Sequence, residues 1–460
     1  MNTATAAVTM MAITLVRLPL DGLVALAALG FEGATRGRFL ARSIFLCRLV
    51  GTRGNLLSTF FSGKVFIQYS PAKAQRRKEN AEARTSSLRL CAFARENSIL
   101  PAMPLVAVIP EPNTPVEVRE VAEPDLELNS ALLEVELSEV CGTDVYLQQG
   151  RLAGVPYPLI PGHVSVGRLQ KIRGELFDVE GKRFNEGDRI TFLDVHRTCN
   201  ACWYCLVAKA GTRCPQRKVY GITYGLDDGL CGGWATHIYL KPGTRCIRLD
   251  ATPETFMAGG CALPTSLHAV ERGDVKIGDT VLVLGSGPVG INAIMLALMR
   301  GALRVLCIGA PQARLEAALA AGADAALNIE THDETQRLEW VWEQTAGRGA
   351  DVTIEATGVP DAVVQAMTFT RDAGTVVVVG QYTDHGLTTF NPHLDLNKKH
   401  LDVRGCWGSE FSHFYRATQL AAKRSEPWTR MTLISYGLER ANEALADVSA
   451  GRVLKALIRP

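Results

Sequence analysis

Thr280-Val281-Leu282-Val283-Leu284-Gly285-Ser286-Gly287-Pro288-Val289-Gly290 is the stretch that decides the fold of this 460-residue chain. Its first five residues read as an apolar strand, and Val289 to Met299 continues as an apolar helix. G-x-G-x-x-G alone is a weak signal. Between a buried strand and a helix it marks a dinucleotide-binding turn. Gly285 permits the tight turn, Gly287 lets backbone approach a pyrophosphate, and Gly290 lets helix and strand pack closely. Pro288 and Val289 open the helix whose N-terminus faces the phosphate charge.

Working outward, Val305–Ile308, Val352–Glu355 and Thr375–Val379 repeat the strand pattern with helical segments between them. Strands alternating with helices imply a parallel sheet covered on both faces. The fold class is therefore α/β, with a doubly wound Rossmann sheet over residues 261–405. The second strand ends at Gly309, where an NAD-selecting carboxylate would stand, and Ala310 follows. With no acid there, a 2′-phosphate is not repelled. Arg314 and Arg304 are cations near enough in sequence to pair with one, so NADP joins NAD as a candidate cofactor.

Upstream, residues 103–260 are mostly β. Leu105–Ile109 is strand-like, and Val116–Val121 alternates apolar and polar residues. Within this region Cys199, Cys202, Cys205 and Cys214 form a C-x2-C-x2-C-x8-C cluster. Four thiolates in one short loop are the signature of a structural zinc site. A nucleic-acid zinc ribbon usually has two separated CxxC pairs in basic surroundings. The surroundings here are acidic. The other half of the Cys content includes Cys47, Cys91, Cys231, Cys246, Cys307 and Cys406, which read as small apolar residues.

Cys141-Gly-Thr143-Asp144, Pro161-Gly-His163, the four-Cys lobe, Gly232-Gly-Trp-Ala235 and Cys261 precede the glycine motif in that order. The set resembles the zinc-dependent alcohol dehydrogenases of the medium-chain dehydrogenase/reductase family, and the likeness spans residues 103–460. It implies a GroES-like β domain over 103–260, holding both zinc sites, and a return of residues 406–460 to that domain. Cys141, His163 and Cys261 are implied as ligands of a catalytic zinc with one position open. Thr143 resembles the proton-relay hydroxyl, and Asp144 the carboxylate that orients the histidine ligand. Tyr146 stands where some members carry a relay histidine. Lys455 stands where a basic residue contacts the cofactor pyrophosphate. His196, His237 and His268 read as structural, with His196 a further candidate to brace the zinc lobe. The family also implies an alcohol or carbonyl substrate, NAD(P), and a homodimer or homotetramer. A non-catalytic, regulatory member is the competing class, and it requires broken ligands. Two departures stand out. Val164 follows His163 where many members have Glu, and eight residues precede Cys214 where seven is usual.

The whole-chain net charge of +2 describes neither part of the chain. Residues 1–102 hold 14 Lys/Arg against 5 Asp/Glu, a net of +9, and the remainder holds 35 against 42, a net of −7. An acidic body excludes an overall nucleic-acid footprint. The basic N-terminal extension fits an organelle transit peptide, a membrane-surface helix, or a stretch upstream of the fold proper. Arg17 and Asp21 interrupt its apolar start, and the uninterrupted stretch Gly22–Phe31 falls short of the roughly 20 residues that span a membrane, so no stable membrane insertion is expected. Localisation reads as cytoplasmic, or mitochondrial if the extension is a transit peptide.

Overall fold

The computed structural model describes residues 103–460. The N-terminal extension, residues 1–102, lies outside the described residues, and the readings placed on it stay expectations. Two sheets organise the rest. The first has the strand order Leu433–Tyr436, Lys455–Ile458, Ser130–Val140, Ser165–Arg173, Arg189–Phe192 and Cys246–Arg248, with His237–Leu240 paired to Ser130–Val140. The long strand Ser130–Val140 is its spine, and ten of its eleven residues are at least partly buried because other elements cover both faces. A separate hairpin pairs Leu105–Val108 with Glu117–Glu120.

The second sheet is parallel throughout. Its spatial order is Ala325–Asn328, Arg304–Gly309, Thr280–Leu284, Ala350–Glu355, Thr370–Val378, Asp402–Gly405. In chain order that is 3-2-1-4-5-6, the doubly wound arrangement. The order reverses between Thr280–Leu284 and Ala350–Glu355, so a crevice opens outside the carboxyl ends of those strands. The glycine motif sits there. Gly285 has φ +109° and Gly287 caps the helix Pro288–Arg300, with Pro288 in its first turn. A Cβ on Gly290 would collide with the Gly285 carbonyl oxygen. A Cβ on Gly287 would meet nothing within 4 Å, leaving room for a ligand.

One apolar cluster joins the sheets. It runs from Leu137 and Val166 through Phe256 and Leu263 to Val281, Val283 and Ile354. The helices Pro253–Gly259 and Ala262–Arg272 carry it across. The return to the first sheet comes later than residue 406. The helix Phe411–Lys423 still packs against Ala262–Arg272, and pairing resumes at Leu433–Tyr436. The reason is the apolar face of Phe411–Lys423, which buries Phe414, Ala417 and Ala421 in the shared cluster.

Two predictions follow from this packing. Gly290→Val is expected to abolish dinucleotide binding and lower Tm, checked by NAD(P)H fluorescence titration and thermal unfolding. The second concerns His413, whose Nδ1 accepts the Glu410 N–H at 3.0 Å and whose ring lies 4.5 Å from His268. Burial first, and the His268 neighbour second, push its imidazole down to about 4. The unfolded chain regains a pKa near 6.5, so it binds more protons than the folded chain between about pH 6.5 and 4. Stability should therefore fall as pH falls through that window. Urea unfolding across it should show a shallower slope for His413→Gln than for the native chain.

Candidate active site

The three ligand candidates come from separate elements and converge. Cys141 directly follows the spine strand and caps the short helix Gly142–Gln148. His163 lies in the loop before Ser165–Arg173, and Cys261 precedes the helix Ala262–Arg272. Their donor atoms all lie within 4.8 Å of one another. Asp144, fully buried, fastens two of the loops. Its Oδ2 accepts the Cys141 N–H at 2.8 Å and its Oδ1 accepts the Gly162 N–H at 3.2 Å. The expected bond from Asp144 to the imidazole is not made, and His163 Nδ1 is buried without a partner. The carboxylate orients the ligands through their backbone instead. Burial raises the Asp144 pKa, partly opposed by His163.

Lys455 departs from its expected place at the cofactor. Its side chain is 1% exposed, and its ammonium forms an ion pair with Glu139. Register explains this. Leu457 pairs with Glu139 across the antiparallel strands, so Lys455, two residues away, shares the face of Glu139 as its diagonal neighbour. Glu139 was not visible as a site residue, because it lies inside a strand whose other acids, Glu134 and Glu136, are less buried. Its Oε2 accepts the Cys261 N–H at 2.6 Å, and its Oε1 lies 3.4 Å from Cys261 Sγ. Gly260, at φ +52°, makes this approach possible, since a Cβ there would strike both Glu139 and Lys455. A carboxylate therefore does stand behind the metal site. It comes from Glu139, not from the position that Val164 occupies.

The trio fits zinc. It offers two thiols and an imidazole in a buried cluster, and all three line a cleft of about 330 Å³. Three protein ligands with one open position are what catalytic zinc takes. Burial is the largest single influence and pushes the His163 imidazole down, but the hydrogen bond and charge of Cys261, with the charges of Asp144 and Asp194, together outweigh it and hold it up at about 10. Cys261 is lowered, chiefly by its hydrogen bond with Cys141. The cluster thus favours an anionic thiolate beside a cationic imidazole.

Cys199, Cys202, Cys205 and Cys214 form the second cluster, again within 4.8 Å. Sγ of Cys205 lies 3.6 Å from that of Cys202 and 4.0 Å from that of Cys199. The Cys202 N–H donates to Cys199 Sγ at 3.2 Å, so backbone already favours thiolates there. The extra residue before Cys214 is absorbed in the loop that contains Gly211–Arg213, and no ligand is lost. His196 does not brace this lobe. Its ring bonds the Tyr224 hydroxyl and the Pro242 carbonyl.

Thr143, Tyr146, Pro288 and Val289 line the same cleft as the metal ligands, together with Thr357, Val379 and Gly380 from the loops that follow two strands of the second sheet. The ring of Tyr146 meets His385 edge-on at 5.4 Å. Tyr382 adjoins Thr143, and burial pushes its phenol up to about 12. Glu355 braces the crevice, accepting N–H bonds from Thr357 and Gly358 at 2.7 and 2.9 Å. Gly309 ends its strand beside Ser286, whose hydroxyl donates to the Ala310 carbonyl. Of the two expected phosphate partners, Arg304 is engaged elsewhere, while Arg314 gives one hydrogen bond and keeps a buried Nε without a partner. Arg304 begins that strand, at the far end from Gly309, and donates to the Gln344 carbonyl. Arg314 donates to the Val453 carbonyl at 3.2 Å.

Residues 127–251 match the alcohol dehydrogenase GroES-like domain, and residues 288–423 match the zinc-binding dehydrogenase domain. The 5-exo-hydroxycamphor dehydrogenase of Pseudomonas putida is 32% identical over 358 residues, which cover 76% of this chain and 97% of that protein. The chain belongs to the zinc-dependent alcohol dehydrogenases of the medium-chain dehydrogenase/reductase family. The alcohol dehydrogenase of Thermotoga maritima superposes with a TM-score of 0.74 at 30% identity, covering 78% of this chain and 99% of that one. A zinc-binding dehydrogenase of Sinorhizobium meliloti, bound to NADP, gives 0.67 at 25% identity over 78% of this chain and all of its own length. This dehydrogenase interconverts alcohols and carbonyl compounds with zinc and NAD(P).

Metal analysis of the purified enzyme should find about two zinc per chain. Lys455→Met strands the buried Glu139, at a cost of about 3–5 kcal/mol. Lower Tm and faster loss of one zinc to a chelator are expected, and the double variant E139Q/K455M should recover part of both.

Proposed function

We propose that Thr143 receives the hydroxyl proton of the alcohol and passes it along the cleft toward Tyr146 and His385. Zinc held by Cys141, His163 and Cys261 would supply Lewis acidity toward the alcohol oxygen, with NAD(P)⁺ as hydride acceptor. Thr143 can accept one hydrogen bond while giving its own proton onward. Tyr382, its phenol pushed up by burial, stays protonated near neutral pH beside Thr143. Tyr146, on the helix that Cys141 caps, presents a second hydroxyl to the cleft, and the His385 imidazole packs against its ring at the cleft edge. The observation that carries this reading is the single cleft shared by all three ligands, Thr143 and the carboxyl ends of the parallel strands. A non-catalytic member would need a broken ligand set, and this set is whole.

NADP is admitted alongside NAD because Gly309 puts no carboxylate at the ribose. We also infer a homodimer or homotetramer from the family likeness, to be read by light scattering of the purified chain.

The test is steady-state oxidation of an alcohol and polyol panel with both cofactors. Turnover that a chelator abolishes supports the reading, and none with either cofactor at full zinc content sinks it. Thr143→Ala should lower kcat by about 10²–10⁴-fold, while Thr143→Ser retains most of it. A strong preference for NAD over NADP in kcat/KM would defeat the argument from Gly309.

A further inference from the structure

The cleft holds one guanidinium that the chemistry above does not use. Arg217 lines it beside Tyr382, Trp407 and Ser409. It is the only Lys or Arg among the described residues lining that cleft. Its backbone N–H donates to the Cys214 carbonyl at 3.1 Å, so the zinc lobe anchors it. Its Nε is buried with no hydrogen-bond partner. Among the described residues it makes no ion pair. Asp194 lines the same cleft and contributes no salt bridge to it. Arg217 instead lies 5.4 Å from the Trp407 ring centroid. Trp407 is itself held, stacked on Tyr382 at 5.4 Å and donating from Nε1 to the Tyr382 carbonyl at 3.0 Å.

A cation placed in a substrate cleft, partly desolvated and short of acceptors, is costly to keep unless a ligand supplies them. Its planar fork matches a carboxylate bidentately, which an ammonium would not. A cation–π contact with this fixed indole, which Arg213 also approaches at 4.1 Å, helps keep that fork in place.

We propose that Arg217 anchors a carboxylate on the substrate, so that the alcohol this enzyme oxidises is a hydroxy acid. The proposal rests on the alcohol dehydrogenase reading and narrows its substrate class. The hydroxyl takes the zinc and Thr143 end of the cleft, and the carboxylate takes the Arg217 and Trp407 end. The carbinol C–H bond breaks, and its hydrogen leaves with the electron pair to the nicotinamide of NAD(P)⁺, which is reduced. The O–H proton leaves through Thr143. The carbon is oxidised to a carbonyl, and the carboxylate is unchanged.

The experiment compares matched pairs on the zinc-loaded full chain: 5-hydroxypentanoate against 1-pentanol, and 4-hydroxypentanoate against 2-pentanol. Native enzyme should prefer the acid at least tenfold in kcat/KM, mainly through KM. In Arg217→Met that ratio should collapse to near one, and in Arg217→Lys it should lie between. Calorimetry with pentanoate supplies a readout independent of turnover. Binding to the native chain and none to Arg217→Met supports the anchor, with circular dichroism and zinc content showing that the variant is folded. Equal or better use of the neutral alcohols by the native enzyme would overturn the proposal. So would a loss in Arg217→Met that falls alike on both members of each pair. If no alcohol reacts while zinc is fully bound, the dehydrogenase reading fails, and pentanoate binding still decides the role of Arg217.

Discussion

The buried pair of Glu139 and Lys455 is the constraint on which the site depends. Neither charge could be held in that interior alone, because desolvation costs several kcal/mol per ion. Together they tie the spine strand to the final strand and leave one carboxylate oxygen to hold the Cys261 N–H. Cys261 in turn starts the helix that leads into the nucleotide-binding half. One ion pair thus fixes the third metal ligand relative to the first, across more than a hundred residues of chain. Asp144 does the complementary work for the loops of Cys141 and His163. Two buried carboxylates, neither of them a ligand, set the positions of all three ligands.

The same economy appears at the other side of the cleft. The parallel sheet reverses its order between Thr280–Leu284 and Ala350–Glu355, and Glu355 satisfies the N–H groups that the reversal leaves open. The cleft therefore has walls from both sheets. The apolar cluster running from Leu137 to Ile354 packs the two halves together behind those walls.

Much of this was legible beforehand because it is local. The cysteine quartet lies within sixteen residues, so its spacing alone describes its chemistry. The glycine turn is equally local: strand, turn and helix follow one another directly. Cys141, His163 and Cys261 were legible only through the family resemblance, since their meeting depends on three distant segments. Lys455 was assigned to the cofactor because position suggested it, yet its side-chain direction is set by the register with Ser130–Val140. Arg304 failed for a similar reason. Sequence nearness to Gly309 said nothing about which end of the strand it occupies. Arg314 lies on a suitable helix and gives one hydrogen bond to the Val453 carbonyl, with its Nε left without a partner.

The class of chemistry came through the family resemblance; sequence by itself determined the mostly β and the parallel α/β halves, the dinucleotide turn and the thiolate lobe. Each rests on spacing, on alternation, or on residue types whose chemistry needs no distant partner. Tertiary structure alone decided that Glu139 places a buried carboxylate beside Cys261, that Lys455 pairs with it, and that Tyr382, Trp407 and Arg217 shape the cleft. The physical reason is that burial and pairing are set by what a strand or loop meets across the fold. A charge inside a strand reads as a surface residue until its counter-charge arrives from the far end of the chain.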